Sequence, residues 1–513
     1  MTDHDVIVVG GGHNGLVAAA YLARAGLDTI VLEARSSVGG CAATVDALGV
    51  RVNICNCDHV MVRGTPIVDE LDLGRHGLHY LDLTPHAGGV SWDGAAPWFA
   101  FSDLERTLDS LAVGHADQVE GYRRWIADAL PVADLVLAVT NEVPKPGTVT
   151  RRVWERKGAG VGRLLAWNRM SAEAVLRTYL TDETVMATVL STAPTVWGLA
   201  PDTPGTGLAA INFAMRHLVQ PGRPIGGSGA FPDAVQNAFE EAGGKVLTEA
   251  SVAAVVVRQG RVAAVRLEDG TELTAARVVC AVDPYRVFVE WLDGPLPETK
   301  RWARRSGDQG YESKIDAVLS ERPRLRALDP TTVARHGPID PLVPTIKVAP
   351  RLAEMARNHR LLGEGRVGER PVLYLNVPSV LDETMRDGSR HVFSLEALFT
   401  PYSLRGGWEQ SKEPERWLHL VASLMEPGFL ESIVDWRHVG PRRYESEFGM
   451  RSGYATSFAG GPLAALSGRP RELTRYRTSV KGLYLTGAAT FPGAGVWGAP
   501  GRNAASVVIG DLA

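Results

Sequence analysis

Residues 5–33 read DVIVVGGGHNGLVAAAYLARAGLDTIVLE, and no other stretch constrains the fold as tightly. Val6-Ile7-Val8-Val9 is a short, continuous run of β-formers, the kind buried on both faces in a parallel sheet. It runs directly into Gly10-x-Gly12-x-x-Gly15. LVAAAYLARAG then has the composition of a helix stopped by Gly26. A second apolar strand over residues 29–32 ends at the acidic Glu33.

Each part of this unit has a physical task. Gly10 permits a tight strand-to-helix turn, Gly12 lets the backbone touch a pyrophosphate, and Gly15 lets helix and strand pack closely. The helix N-terminus offers free N–H groups and partial positive charge to phosphates. Glu33 can accept hydrogen bonds from ribose hydroxyls. A lone G-x-G-x-x-G says little, but strand, glycine turn, helix, strand and terminal acid in that order specify a dinucleotide site. His13 and Asn14 inside the turn, and Ala34 after the acid, are candidate contacts.

The residues beyond Glu33 identify the dinucleotide. Gly39-Gly40 comes shortly after the acid and is succeeded by Thr44. A glycine pair placed here resembles the flavoproteins of the two-dinucleotide-binding-domain type, in which the pair passes close to FAD. No second fingerprint stands out. GAGVG at 158–162 has the wrong spacing and comes after the charged Glu155-Arg156-Lys157 instead of a strand. One site holding FAD is the economical reading.

The C-terminal end repeats the logic. Residues 482–487, GLYLTG, form a short apolar strand ending in glycine, and a loop then leads to a small-residue helix expected over 503–512. Five glycines and two prolines fall within residues 487–501, where backbone must approach something closely. A helix N-terminus there would favour negative charge, such as that of a reduced flavin around N1 and O2. Trp497 and Phe491 sit in this loop and could wall the ring, with plain packing equally weighted.

With these residues in hand, the chain resembles the phytoene-desaturase-related family of FAD oxidoreductases. The matching stretches are VIVVGGGHNGLVAAAYLARAG, LEARSSVGGCAAT, RPIGGSGAFPDAVQNAF and YLTGAATFPGAGVWGAPGRNAA. The resemblance covers nearly the whole chain, thinning between residues 103 and 177. It implies further cofactor contacts at Val252, Gly487, Gly495 and Val496. It also implies an α/β fold: a discontinuous Rossmann-like FAD-binding domain with an α+β substrate domain and a helical cap. Residues 1–75, 224–295 and 475–513 are assigned to the FAD domain, and 76–223 with 296–474 to the substrate domain.

Departures from neighbouring classes matter. Flavin amine oxidases usually carry Gly-Glu, and aromatic hydroxylases Gly-Asp, where this chain has Gly487-Ala488. Disulfide reductases need two redox cysteines a few residues apart after the first site, and none are present. Many relatives carry a histidine in the segment that here reads GYATSFAGGP, where Thr456 and Ser457 stand instead.

Between the cofactor elements, residues 246–273 show apolar runs broken by QGR and EDG, as in an antiparallel meander, and a strand over 277–282 returns toward the nucleotide fold. Residues 314–319, 370–377 and 389–399 look like strands. LERTLDSLAVGHADQVEGYRRWIADAL and SAEAVLRTYLTDETVMATVL have helical periodicity. Residues 151–169 hold six cations against one acid, interleaved with Trp154 and Trp167. Such a stretch could touch an anionic membrane peripherally, although a solvated surface loop is the simpler reading.

At 513 residues the chain is too long for one ordinary core. Its net charge of −4 argues against a general nucleic-acid binder. Cys41, Cys55, Cys57 and Cys280 form neither a disulfide framework nor a metal-ligand spacing, so they are expected to pack. No apolar run reaches the ~20 residues of a membrane span, and the acidic N-terminus is unlike a signal peptide. The chain therefore reads as cytoplasmic.

These elements imply an FAD-dependent dehydrogenase, desaturase or oxidase. It would transfer a hydride from an apolar or extended substrate to flavin N5, form a double bond, and pass the electrons to oxygen or a quinone. Two alternatives stand beside it: polyene isomerisation without net redox change, and a scaffold that merely holds FAD. His59, Tyr454 and Trp497 are weak catalytic candidates; His59 and Tyr454 are more readily read as packing, and Trp497 equally so.

Overall fold

The computed structural model describes residues 2–55, 57–305, 310, 312–458 and 461–512. Ala459 and Gly460, within the segment where relatives carry a histidine, lie outside them.

The strand His4–Val9 is buried along its last four residues because both of its edges are paired. It runs parallel to Thr29–Leu32 on one side and to Glu272–Cys280 on the other. Lys245–Leu247 extends the sheet beyond Thr29–Leu32, and Leu483–Leu485 pairs parallel with Glu272–Cys280. Val9 is in register with both Leu32 and Cys280, and Cys280 with Leu485. The residues next after these strands, Gly10, Glu33, Ala281 and Thr486, therefore emerge along one edge. Ligands of open α/β sheets bind at this carboxyl edge.

The expected meander is present but built differently. Val252–Arg258, Arg261–Leu267 and Glu272–Cys280 are antiparallel neighbours, while Lys245–Leu247 belongs to the parallel part. No separate strand begins at residue 277. One nine-residue strand pairs antiparallel near its start and parallel from Ala275 onward, so the same backbone serves both halves of the sheet.

The helix His13–Arg24 packs on this sheet and against two others, Ala230–Glu241 and Ala499–Gly510. The last starts earlier than expected, at Ala499 instead of Asn503, because Pro500 falls in its first turn, where no backbone N–H is needed. A Cβ on Gly501 would lie 2.1 Å from the Asn14 carbonyl oxygen. That glycine lets the last helix of the chain press directly against the first.

A second sheet of seven strands runs in the order Ile433–Val439, Glu312–Leu319, His391–Leu398, Leu373–Asn376, Thr345–Ala349, Ala87–Ser91, Trp98–Ala100. Three of these match expected strands; the other four lack a clear sequence signal. Helices Leu104–Ala112, Val119–Thr140, Ala172–Arg177 and Glu183–Thr192 account for the periodic segments. Asp103, Ser171 and Asp182 cap three of them by accepting backbone N–H bonds. Glu183–Thr192 lies on the strands Thr345–Ala349 and Ala87–Ser91.

The basic stretch is two short helices, Pro146–Glu155 and Val161–Trp167, not a loop. Its charge is largely answered within the fold: Arg151 and Arg152 pair with Glu142, Arg156 with Asp134 and Arg163 with Asp128. Trp154 is nonetheless 80% exposed. Among the described residues, no helix is long and apolar enough to cross a membrane.

Candidate functional site

The carboxyl edge of the first sheet opens into a cleft of about 720 Å3 that continues onto one face of the second sheet. Its first half is made by the glycine turn. Gly10 has φ +102°, a conformation that favours glycine, and the turn it makes brings Gly15 against the strand. A Cβ on Gly15 would stand 2.0 Å from the Gly10 carbonyl oxygen. A Cβ on Gly12 would instead meet no protein atom within 4 Å, because that face of the turn looks into the cleft.

Gly12 is the N-cap of the helix and makes no side-chain cap bond. The free N–H groups of the first turn therefore have space before them. Gly39 bridges to Gly12 and donates its N–H to the Gly11 carbonyl at 2.9 Å, which brings the glycine pair alongside the turn. Glu33 is held by two backbone donors, Gly11 N–H at 2.7 Å and Arg35 N–H at 2.9 Å. Asn14 is buried with its Oδ1 unbonded. His13 contacts the Gly495 carbonyl at 3.1 Å, tying the first site to the tail, and burial lowers its pKa to about 4.

Of the sequence candidates, Gly10, Gly12, His13, Asn14, Gly15, Glu33, Ala34, Gly39, Gly40, Val252, Gly487, Gly495, Val496 and Tyr454 line the cleft. Thr44 does not. Its hydroxyl donates to Asn53 Oδ1 and accepts the Gly229 N–H, both at 2.9 Å, so it braces the wall from behind. Trp497 does not line it either. The indole N–H folds back to the Ala494 carbonyl at 3.0 Å and the ring packs on its own loop. Phe491 is likewise buried away from it.

His59 is fully buried and does not line the cleft. Its ring bonds to the Tyr80 hydroxyl at 3.0 Å and to Ser228 Oγ at 2.8 Å, and burial pushes its pKa down to about 3. It is a packed, neutral histidine. Thr456 donates to the Asp283 carboxylate at 2.6 Å, and Ser457 Oγ accepts the Ala494 N–H at 3.0 Å. Both of these residues, at the place of the relatives' histidine, therefore brace neighbouring chain. Tyr454 donates its hydroxyl to the Trp197 carbonyl at 3.3 Å.

The second half of the cleft was not foreseen. Strand register lines up Lys314, Glu396, Tyr374 and Lys347 in one cross-strand row, and Asp316, Ser394, Asn376 and Thr345 in the next. Tyr374, Lys347, Glu396, Ser394, Asn376 and Thr345 all line the cleft, joined by Glu312 and, from outside the sheet, by Asp58 and Arg216. Asp58 accepts from Arg223 Nε at 3.0 Å and Nη2 at 2.8 Å and from Thr345 Oγ1 at 2.7 Å. Lys314 is paired with Asp316, which also pairs with Arg437 at 3.0 Å.

Burial, then the neighbouring Glu312, pushes the Glu396 carboxyl up to about 8. Burial, then Arg216, drives the Lys347 ammonium well below its ordinary value. The floor of this half is polar, while the apolar Leu83, Val196 and Trp197 line the same cleft. Arg35 was also missed; it lines the first half, lies 4.5 Å over the Phe448 ring and leaves Nη1 buried and unbonded. Its place two residues after Glu33 is the one signal that could have found it.

Two family models match the chain: the NAD(P)-binding Rossmann-like domain over residues 8–61, and the flavin containing amine oxidoreductase over residues 148–331. The chain is 29% identical to pyridine nucleotide-disulfide oxidoreductase domain-containing protein 2 of Rattus norvegicus, covering 99% of this chain and 94% of that protein. It is 24% identical to the lycopene-forming phytoene desaturase of Pantoea ananas, covering 98% and 99%. The solved cyclohexylamine oxidase of Brevibacterium oxydans superposes with a TM-score of 0.60 at 15% identity, over 99% of each chain. These findings bear out the resemblance, the α/β flavoprotein fold, FAD as cofactor and oxidoreduction as the class of activity. The cleft fits that cofactor, since Gly12 leaves an open face and Asn14 an unspent buried acceptor.

Proposed function

We propose that this FAD-dependent oxidoreductase removes a hydride from one carbon and a proton from the adjacent carbon or nitrogen of a small molecule held over the polar floor, leaving a C=C or C=N double bond in it. One observation carries the reading: a single cleft joins the glycine-lined edge of the first sheet to the side chains of the second. Cofactor and substrate would thus occupy one continuous space from which protein walls exclude water.

When bound, FAD supplies a hydride acceptor at N5, and oxygen or a quinone takes the electrons onward. The chain's own residues do the rest. Gly10, Gly12 and Gly15 would shape the pyrophosphate cradle, and Glu33 would accept from ribose hydroxyls. Asn14, Ala34, Gly39, Gly40 and Val252 would line the cofactor's path, while Gly487, Gly495 and Val496 close its far end. His13, held neutral by burial, would be a hydrogen-bonding partner and not a charge. Residues 1–75, 224–295 and 475–513 would form the cofactor domain; 76–223 and 296–474 would carry the substrate floor.

The test is an anaerobic visible titration of the FAD-loaded protein with fractionated metabolites. Bleaching of the oxidised flavin bands, with the product two hydrogens poorer than the substrate, is the expected result. A compound converted to an isomer with no net bleaching would replace this reading with the isomerase.

A further inference from the structure

We infer that the substrate of this enzyme carries an anionic group, a carboxylate, seated between Arg216 and Lys347. The inference rests on the reading of the polar floor as the substrate end of the cleft.

Both cations face one aromatic ring. The Arg216 guanidinium carbon lies 5.8 Å and the Lys347 ammonium nitrogen 5.0 Å from the centre of the Phe213 ring. Both also line the cleft. Most of their donors are unspent. Arg216 gives Nη1 to the carbonyl and Oδ1 of Asn212, at 2.7 and 2.9 Å, while Nε and Nη2 reach no described residue. Lys347 donates to Thr192 Oγ1 alone among the described residues.

No described carboxylate comes within ion-pair distance of either cation. Asp58, the acid that shares this part of the cleft, is engaged by Arg223 and Thr345. Glu396 shares the row of Lys347 but stands two strands away, ~10 Å at the usual spacing between strands. Tyr374 fills the position between them and gives its hydroxyl to the Ser191 carbonyl at 2.5 Å.

Two like charges buried together are unfavourable when the one acid acting on both, Asp58, is already shared with Arg223 and Thr345. The consequence is visible in both groups. Burial brings Arg216 down to about 10, and burial with Arg216 nearby depresses Lys347. A ligand that brings a further negative charge between them reverses both effects. A planar carboxylate suits a guanidinium edge with two free donor nitrogens beside an ammonium. The cofactor's pyrophosphate does not need this pair, because the glycine turn on the other sheet offers its own donors. Leu83, Val196 and Trp197 line the same cleft, so an extended apolar body with an anionic end fits both halves.

The experiment compares benzoate with benzamide on the FAD-loaded full chain, using flavin difference spectra and calorimetry. The ring is the same and only the charge differs. Benzoate is expected to bind at least about tenfold tighter, the usual consequence of one charge-assisted hydrogen bond. Arg216→Gln and Lys347→Met should each remove most of that difference while leaving flavin content unchanged. Equal binding of the two probes to the wild type overturns the inference, whatever the variants do. Benzoate preference with no anionic compound able to bleach the flavin leaves the inference standing and sinks the redox reading. Bleaching by a neutral compound, with no benzoate preference, does the reverse.

Discussion

Gly12→Ala and Gly15→Ala, close neighbours in one turn, should fail in different ways. At Gly15 the added methyl would stand 2.0 Å from the Gly10 carbonyl oxygen, where even a close C···O contact needs ~3.3 Å. The helix His13–Arg24 would have to retreat by more than an ångström. It cannot do so freely, because Gly501 already brings the last helix against Asn14 on its other side. Overpacking of this kind costs ~1–3 kcal/mol, a sizeable share of the ~5–15 kcal/mol of a typical fold. At Gly12 the backbone is ordinary for alanine (φ −67°, ψ 163°) and the methyl meets no protein atom. Loss of a glycine N-cap should cost the apo-protein no more than ~1 kcal/mol. The methyl would instead occupy the space that the pyrophosphate needs. A clash of ~1–3 kcal/mol there weakens FAD by roughly 5- to 150-fold. Thermal melts of the apo-proteins and flavin-fluorescence titrations separate the two effects. Gly15→Ala should lower both the melting midpoint and the affinity, and Gly12→Ala almost only the affinity. Wild-type FAD affinity in Gly12→Ala would show that the open face of the turn is not the cofactor cradle.

Glu33→Ala would leave the buried N–H of Gly11 without an acceptor, at ~1–3 kcal/mol, and the partly buried N–H of Arg35 as well; denaturant titration and flavin retention on gel filtration should both fall, with Glu33→Gln intermediate. His13, His59 and His438 are held neutral by burial, with folded pKa values of about 4, 3 and 4 against 6.5 when free. The unfolded chain binds the extra protons, so stability is full above pH 6.5 and falls toward pH 4 by ~1.4 kcal/mol per unit for each histidine. His59→Gln should be less stable at pH 7 yet show a shallower acid slope; an unchanged slope would contradict its burial as a neutral ring. Glu396 has the opposite sign. Its folded pKa of about 8, against 4.5 when free, makes the native state lose stability as pH rises through that window, and Glu396→Gln should flatten the decline seen in melts from pH 6 to 9.

The cofactor half of the cleft was legible because its parts are local. Gly10, Gly12, Gly15 and Glu33 fall in one short stretch of sequence, and each answers a constraint of the backbone beside it. The tail was legible for the same reason: Gly487 and Gly495 take positive φ, and Gly501 lets helix meet helix. Thr44 and Trp497 show the limit of that reasoning. Each has the right place in the chain, but hydrogen bonds, with Asn53 and Gly229 for Thr44 and to Ala494 for Trp497, turn its side chain to bracing the wall instead of lining it. The half proposed to hold the substrate has no local signature. Glu396, Tyr374 and Lys347 come from three strands, and only register makes them neighbours. Arg216 comes from a helical turn far earlier in the chain than Lys347, and the two meet over Phe213. Period and composition place each residue on a strand or a helix, yet they do not state which strands will pair. A one-residue slip of Thr345–Ala349 would turn Lys347 to the opposite face of the sheet. On the proposed reading the specificity of the enzyme resides in strand register, which is why a chain whose cofactor can be read from its N-terminal segment does not disclose its substrate there.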